Sequence, residues 1–183
     1  MEDSDILNQF LDEKTKSNGF KLLLEKYQQK IYWHIRRMVI NHDDADDLVQ
    51  DTFIKVWKNI EKFRSDSQLY TWIYRIATNE CITFLNRKKM KGSTSLDEVS
   101  TELMDNLKSS EYFDGDKLQR KLQYAILTLP EKQRLIFNMK YFDDLKYEEI
   151  ADVTGTSVGA LKASYHIASK KIESILLNDE ITF

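Results

Sequence analysis

The fold of the C-terminal part of the chain is decided by the stretch YEEIADVTGTSVGAL, which runs from Tyr147 to Leu161. Two helices that cross steeply need a small residue where they meet, and Ala151 supplies it. The tight turn between them needs a residue that tolerates positive φ, and Gly155 lies four positions later. Leu161 then offers an apolar anchor, and Ser157 is a suitable N-cap for the second helix. This spacing predicts a helix-turn-helix.

The second helix of this motif has the charge expected of a DNA-reading element. Between residues 156 and 172 there are three lysines and no acidic residue. One face is predicted to carry Lys162, Tyr165 and Ser169. A helix-turn-helix usually places its second helix in the major groove of DNA. The alternative is a helical hairpin whose glycine turn has no binding role.

A further helix precedes the motif. Pro130 is predicted to occupy the first turn of this helix, where the missing N–H of proline costs nothing. The helix is expected to end near Tyr141. Its inward-facing residues are predicted to be Leu135, Ile136 and Met139.

The first 91 residues are predicted to form helices because their apolar residues recur every three or four positions. The first stripe comprises Phe20, Leu24, Tyr27, Ile31, Ile35 and Met38. The second comprises Ala45, Leu48, Val49, Phe53, Val56, Trp57 and Ile60. The third comprises Leu69, Trp72, Ile73, Ile76, Ala77, Ile82 and Leu85. Asp43 or Asp44 is predicted to cap the second helix.

The composition favours helices and excludes several other classes. Five glycines and one proline in 183 residues are too few for the turns of a β-sandwich or barrel. The single cysteine excludes a disulfide framework and a cysteine-based zinc site. No apolar run approaches the roughly 20 residues needed to span a bilayer, and the acidic N-terminus is unlike a signal peptide. We therefore expect an all-α, cytoplasmic protein with no direct membrane insertion.

The net charge of −3 is unevenly distributed along the chain. Residues 61–91 carry a net charge of +4, and residues 92–116 carry a net charge of −6. The acidic segment is also rich in serine and threonine, which is typical of a linker, although its apolar residues allow a short helix. The predicted organisation is two small helical domains, residues 1–91 and 117–183, joined by a flexible acidic linker.

Four stretches carry a family resemblance: DADDLVQDTFIKVW at 44–57, YTWIYRIATN at 70–79, LPEKQR at 129–134, and YEEIA with SVGALK between 147 and 162. Together they resemble the bacterial RNA polymerase sigma factors of the sigma-70 family, in the extracytoplasmic function (ECF) group. The first stretch is similar to conserved region 2.2, the second to regions 2.3 and 2.4, and the last two to region 4.

Four positions depart from the family pattern. Ala160 and Leu161 stand where threonine and valine are usual, and Ser164 stands where arginine is frequent. Thr83 stands where aspartate is frequent. The first three lie in the second helix of the helix-turn-helix, so the departures bear on the preferred −35 sequence and not on the fold.

The resemblance implies that the region 2.2 helix docks on the coiled coil of the polymerase β′ subunit. The residues expected at this contact are Asp46, Asp47, Gln50, Asp51 and Ile54. The alternative is that these acids form a solvated helix N-terminus, and we expect Val49, Phe53 and Trp57 in the core. Acids at a helix start need no metal, which disfavours the remaining alternative, a metal site. Its ligands would be His42, Asp43, Asp46 and Asp47.

The resemblance further implies that the N-terminal domain grips the −10 promoter element and holds its non-template strand as a single strand. This task needs a positive groove, a pocket for an unstacked base, and amide or hydroxyl groups that read base edges. The candidates are Arg64, Ser65, Asp66, Ser67, Gln68, Trp72, Arg75, Asn79, Arg87, Lys88 and Lys89. Five have structural alternatives: Trp72 in the core, Asn79 bonded to nearby backbone, and residues 87–89 as a solvated helix end.

For the C-terminal domain, the resemblance implies binding of the −35 duplex and of the polymerase β flap. The −35 candidates are Ser157, Gly159, Ala160, Lys162, Ala163, Tyr165, His166 and Lys170. The acidic linker is expected to thread through the positive RNA exit path as a mimic of nucleic acid.

The predicted function is that of a sigma factor, which binds core RNA polymerase, directs it to promoters and promotes DNA melting. Melting is driven by binding energy, so we expect no enzyme activity, cofactor or metal. The histidines lack a nearby nucleophile pattern, and no glycine-rich phosphate loop is present. An anti-sigma factor is an expected partner. The rival interpretations are a helix-turn-helix regulator with an N-terminal sensing or dimerisation domain, and a helical adaptor without DNA binding.

Overall fold

The computed structural model of the protein describes residues 2–63, 68–91, 96–109 and 117–177. These ranges contain no strand, which agrees with the predicted all-α class. Their helices are α1 (Asp3–Leu11), α2 (Lys16–Val39), α3 (His42–Asn59), α4 (Leu69–Lys91), α5 (Leu96–Ser109), α6 (Lys117–Leu127), α7 (Glu131–Tyr141), α8 (Tyr147–Thr154) and α9 (Val158–Leu177). A 3₁₀ turn at Ile60–Lys62 follows α3.

Helices α1 to α4 form the N-terminal bundle, in which α2 is the central element. The predicted stripe of α2 is buried at Tyr27, Ile31, Ile35 and Met38. Near its start, α2 buries Leu23 completely and Leu24 only partly. Helix α1 crosses α2 at Gly19, where a Cβ atom would lie 2.3 Å from the backbone nitrogen of Phe10. Glycine therefore permits the approach that closes this end of the core.

The start of α3 differs from the prediction. The N-cap is Asn41, and neither Asp43 nor Asp44 occupies that position. The Asn41 Oδ1 atom accepts a hydrogen bond from the backbone N–H of Asp44 at 3.0 Å. An amide oxygen caps a helix as well as a carboxylate does. Both aspartates consequently lie inside the first turn, where the helix dipole favours negative charge.

Helices α6 to α9 form the C-terminal bundle and contain the predicted helix-turn-helix. Gly155 has a φ of 68° and ends α8 in the left-handed conformation. Ser157 caps α9, since its Oγ accepts a hydrogen bond from the backbone N–H of Ala160 at 3.4 Å. Leu161 is fully buried and anchors α9, as expected. Pro130 lies at the N-cap of α7, one residue before the predicted first turn.

The expected linker contains an ordered helix in the structure. Helix α5 covers Leu96–Ser109, whereas residues 92–95 and 110–116 lie outside the described ranges. Leu103 and Leu107 of α5 are buried in one cluster with Ile40 from the end of α2 and Leu127 from the end of α6. The middle of the acidic segment is thus packed between the two bundles.

The two bundles pack directly against each other. Helix α8 lies against α4, and α7 lies against α2. One continuous hydrophobic cluster includes Met38 of the N-terminal bundle together with Leu145 and Ile150 of the C-terminal bundle, all with no exposed surface. The residues at this seam between the bundles are therefore buried in the same cluster as the interior of the N-terminal bundle.

Candidate nucleic-acid and polymerase interfaces

Helix α3 exposes a polar stripe on the side away from the core. Its members follow the i, i+3, i+4, i+7 pattern of one helix face: Asp47, Gln50, Asp51 and Ile54. Ile54 is 49% exposed, which is unusual for an isoleucine on a packed helix. Asp46 is only partly exposed and lies 3.4 Å from His42 Nε2. The structure therefore places four of the five predicted docking residues on one surface, which we call the α3 stripe.

An apolar groove runs beside the α3 stripe. Its lining is Phe20, Leu24, Gln28, Val49, Gln50, Phe53, Ile54 and Trp57, around a volume of about 380 Å³. Val49 and Phe53 are buried as predicted. Trp57 was also expected in the core but is only partly buried, because it lies at the edge of the core. Its ring centroid is 5.0 Å from that of Phe20. The surface thus combines acids, an amide and a hydrophobic recess, which suits a helical partner with basic side chains.

The alternative of a metal site at the start of α3 is not supported. Within the described ranges, no group of three histidine, cysteine or acidic side chains is arranged to hold a metal ion. His42 instead forms a hydrogen bond with the Tyr32 hydroxyl at 2.9 Å.

The structure describes seven of the eleven −10 candidates. Arg64, Ser65, Asp66 and Ser67 lie outside the described residues, and Gln68 beside them is exposed. Asn79 is exposed on α4, beside the fully buried Ala77. Trp72 is partly buried, with its ring 5.5 Å from Phe63. Arg75 is also partly buried, and its Nε has no hydrogen-bond partner in the described part of the chain. Among these three α4 candidates, only Asn79 is exposed.

The basic end of α4 has acidic partners within the chain. Lys88 Nζ lies 3.1 Å from Asp44 and 2.9 Å from Glu102 of α5. Burial by itself lowers the pKa of Lys88. The hydrogen bonds to Glu102 and Asp44 and the negative charges of these acids together outweigh burial, so the pKa is raised. Lys89 pairs with Glu131 of α7, and Arg87 is exposed. Sequence reasoning missed these pairs, since their members lie far apart in the chain.

The predicted reading face of α9 needs a correction. Tyr165 is partly buried and stacks on Phe137, with ring centroids 5.6 Å apart. Ser169 is also partly buried, and its Oγ is covered. Both belong to the packed side of α9 with Leu161, because residues four and eight positions apart share a helix face. The exposed candidates are Ser157, Gly159, Ala160, Lys162, Ala163, His166 and Lys170.

Lys162 is the most clearly placed cation on this face. It is exposed, and its Nζ lies 5.7 Å from the ring centroid of Tyr147 on α8. An ammonium over an aromatic face is weakly attracted to it. Lys162 lies in the second turn of α9, and the N-terminal part of the second helix is the part that meets base edges in this motif.

A second apolar groove lies on the C-terminal bundle, and the sequence analysis did not predict it. It encloses about 440 Å³ and is lined by Leu118, Leu122, Phe137, Tyr141, Tyr165, Ser169, Ile172, Glu173, Leu176 and Leu177. Leu118 and Leu177 are 59% and 77% exposed. Leu118 and Leu122, four positions apart, are the sequence signal from which an extra apolar face on α6 could have been predicted.

These features define a helical protein with a helix-turn-helix and a separate exposed polar stripe on α3, and comparison with known families identifies the class. Residues 23–90 match the family Sigma-70 region 2, and residues 119–172 match the family Sigma-70, region 4. The chain belongs to the ECF RNA polymerase sigma factors of the sigma-70 family. None of its described helices is long and apolar enough to cross a membrane.

Curated relatives agree with this assignment along most of the chain. The ECF RNA polymerase sigma factor SigW of Bacillus subtilis is 31% identical over 162 residues, which are 84% of this chain and 87% of SigW. The ECF RNA polymerase sigma-E factor of Escherichia coli K12 is 30% identical over 170 residues, which are 88% of each chain.

Two solved structures have the same fold. One is the sigma factor RpoE in complex with the anti-sigma factor NepR from Bartonella quintana, with a TM-score of 0.68 and 21% identity over 87% of this chain and 98% of that one. The other is CnrH in complex with the cytosolic domain of CnrY, with a TM-score of 0.67 and 20% identity. This match covers 97% of this chain and 96% of CnrH.

Proposed function

We propose that three separate surfaces of this sigma factor carry out its three binding tasks. The α3 stripe and its groove dock core RNA polymerase on the β′ coiled coil. The exposed edge of α4 at Asn79 reads the melted −10 strand, and the exposed face of α9 at Lys162 contacts the −35 duplex. The observation that carries this proposal is that the α3 stripe, Asn79 and Lys162 are all exposed in the folded chain.

Docking through α3 is supported by the chemistry of its surface. Asp47 and Asp51 supply negative charge, and Gln50 supplies both a donor and an acceptor. Ile54 and the adjacent groove add apolar area for a hot spot surrounded by polar groups. The second groove, on the C-terminal bundle, offers comparable apolar area for the β flap.

An anti-sigma factor is a further proposed partner. Two proteins of the same fold were solved as complexes: the sigma factor RpoE with the anti-sigma factor NepR, and CnrH with the cytosolic domain of CnrY. We also propose that the chain acts in the cytoplasm and catalyses no reaction itself, because its tasks consist of binding.

The docking proposal is tested with a charge change on the α3 stripe. Asp47→Arg with Gln50→Arg should abolish co-purification with core polymerase and leave the helical circular dichroism unchanged. The matched control is Glu25→Arg with Gln29→Arg, which alters charge by the same amount at two exposed positions of α2. If the α3 variant still binds core polymerase as the control does, the docking assignment is wrong.

Transcription separates a sigma factor from the rival helix-turn-helix regulator. Only a sigma factor makes core polymerase start at a defined promoter. Transcription in vitro on a genomic library, with core polymerase and the full chain, should yield discrete start sites. A chain that binds duplex DNA but yields no defined start would favour the regulator.

A further inference from the structure

Helix α9 lacks the side chains that most often recognise purines in DNA. Arginine reads a guanine edge with two hydrogen bonds, and asparagine or glutamine reads an adenine edge in the same way. None of these three residue types occurs between Val158 and Leu177. Lys162 and His166 are exposed and can supply hydrogen bonds. Paired hydrogen bonds can therefore account for only part of any sequence preference of this helix.

The exposed face of α9 carries apolar side chains beside these two polar ones. Ala163 is exposed, and Ile167, four positions later, is 55% exposed. Residues four positions apart share a helix face, so the two side chains are neighbours. Ile167 belongs to none of the hydrophobic clusters of the described residues. The folded chain thus leaves this apolar pair open to an outside partner.

Gly159 lies one turn before Ala163, and the fold itself does not require a glycine at this position. Its φ is not in the left-handed region, and a Cβ atom there would meet nothing within 4 Å. Glycine makes a helix less stable than alanine does. In return, the missing Cβ lets an outside surface approach the helix backbone closely.

The charge around this face and the spacing of its apolar pair fit the major groove. Between residues 156 and 172 the chain has three lysines and no acid, which suits a phosphate-lined groove. The thymine C5 methyl is the apolar group that base edges present there. Four residues of a helix rise about 6 Å, and bases of one strand are about 3.4 Å apart. Ala163 and Ile167 can therefore meet thymines one or two steps apart.

We propose that Ala163 and Ile167 determine the −35 sequence preference by contacting thymine C5 methyl groups, and that Gly159 permits the close approach of α9 to the bases. The preferred −35 element then contains thymines one or two steps apart, and Lys162 adds a hydrogen bond to a purine or a phosphate contact. This inference rests on the −35 role proposed for α9.

The test removes methyl groups from the DNA and apolar side chains from the protein. Holoenzyme made from core polymerase and the full chain first selects −35 duplexes from a pool with a randomised segment. Each thymine of the selected sequence is then replaced in turn by deoxyuridine, which lacks only the C5 methyl. Ile167→Ala and Ala163→Gly are measured on both kinds of duplex. The matched control is Leu11→Ala, because Leu11 of α1 is an apolar side chain that is 53% exposed.

We expect deoxyuridine at a contacted position to weaken binding by the unaltered chain about fourfold, equivalent to about 0.8 kcal/mol for one buried methyl group. Ile167→Ala should bind the thymine duplex more weakly and should no longer distinguish thymine from deoxyuridine at one position. Leu11→Ala should bind and discriminate as the unaltered chain does. Gly159→Ala should raise the urea midpoint of unfolding and yet weaken binding to the selected duplex about fivefold, a combination that a purely structural glycine would not give.

Equal affinity for thymine and deoxyuridine at every position would overturn the methyl contacts. Discrimination that persists in both Ile167→Ala and Ala163→Gly would overturn the assignment to these residues. A duplex with a scrambled −35 segment tests the −35 role separately. If scrambling does not weaken binding, the −35 role fails and the proposal fails with it. If scrambling weakens binding and deoxyuridine does not, the −35 role stands and the methyl contacts are overturned.

Discussion

The contact of Lys162 with the −35 duplex is open to a direct test with Lys162→Ala. The side chain is exposed, and its Nζ lies 5.7 Å from the ring centroid of Tyr147. Loss of an exposed cation–π contact costs about 0.5–1 kcal/mol, and alanine has the better helix propensity, which offsets part of that loss. The variant should therefore remain folded, with a nearly unchanged melting temperature.

The effect on DNA affinity depends on what Lys162 contacts. If it reads a base edge, its loss should cost about 1–3 kcal/mol, which raises the dissociation constant about 5- to 150-fold, and should relax sequence preference. If it contacts only phosphate, binding should weaken evenly across sequences, and the slope of log affinity against log salt should fall by about 0.9.

The assay is fluorescence anisotropy of holoenzyme on −35 duplexes at several salt concentrations. Lys171→Ala is the control, because it removes the same charge from α9 at a residue whose ammonium donates to the Thr128 carbonyl at 2.7 Å. Lys171→Ala should change affinity far less than Lys162→Ala. Equal effects of the two variants, or no effect of either, would refute the placement of Lys162 at the interface.

Asn79→Ala should leave polymerase binding intact and lower transcription from a double-stranded promoter. A template with a pre-melted −10 bubble should restore only the part of the loss that is due to melting. Unchanged transcription and base selectivity would exclude Asn79 as a reader. Gly155→Ala should lower the free energy of unfolding by about 1–2 kcal/mol, because its φ is 68° while a Cβ there meets nothing within 4 Å. Gly155→Asn should lose less in the same urea titration, since asparagine tolerates positive φ, and equal losses would contradict this. Burial raises the pKa of the Cys81 thiol, and only the thiolate reacts readily, so Ellman's reagent at pH 8 should modify Cys81 in denaturant and not in the native protein.

Most of the local structure was predictable from the sequence, because it depends on neighbours in the chain. Gly155 and Ser157 carry their own turn and cap geometry, and Leu161 follows at a spacing typical of a helix-turn-helix. Where local rules offered near-equal choices, the prediction was wrong. Asn41 caps α3 in place of either aspartate, since all three side chains make good N-caps.

Of the candidate sites, the α3 stripe was predictable from local pattern, whereas the exposed face of α9 was not. The α3 stripe follows from helical periodicity alone, so the sequence determined which of its side chains face outward. Periodicity did not tell which side of α9 is buried, because tyrosine and serine tolerate either environment. Packing against Phe137 decided it, turning Tyr165 inward and leaving Lys162 exposed.

Only the tertiary structure decided how the two halves of the chain meet. The buried carboxylate of Asp143 lies 2.9 Å from Nδ1 of His34, although the two residues are 109 positions apart and neither has a neighbour in sequence that signals the other. A buried carboxylate needs compensating partners whose identity depends on how whole helices pack, not on local preference. The sequence by itself therefore determined the helices, the helix-turn-helix and the family. The tertiary structure determined that Asp143, Glu102 and Glu131 meet the basic and aromatic side chains of the N-terminal bundle, because pairings between distant residues arise only when the chain is folded.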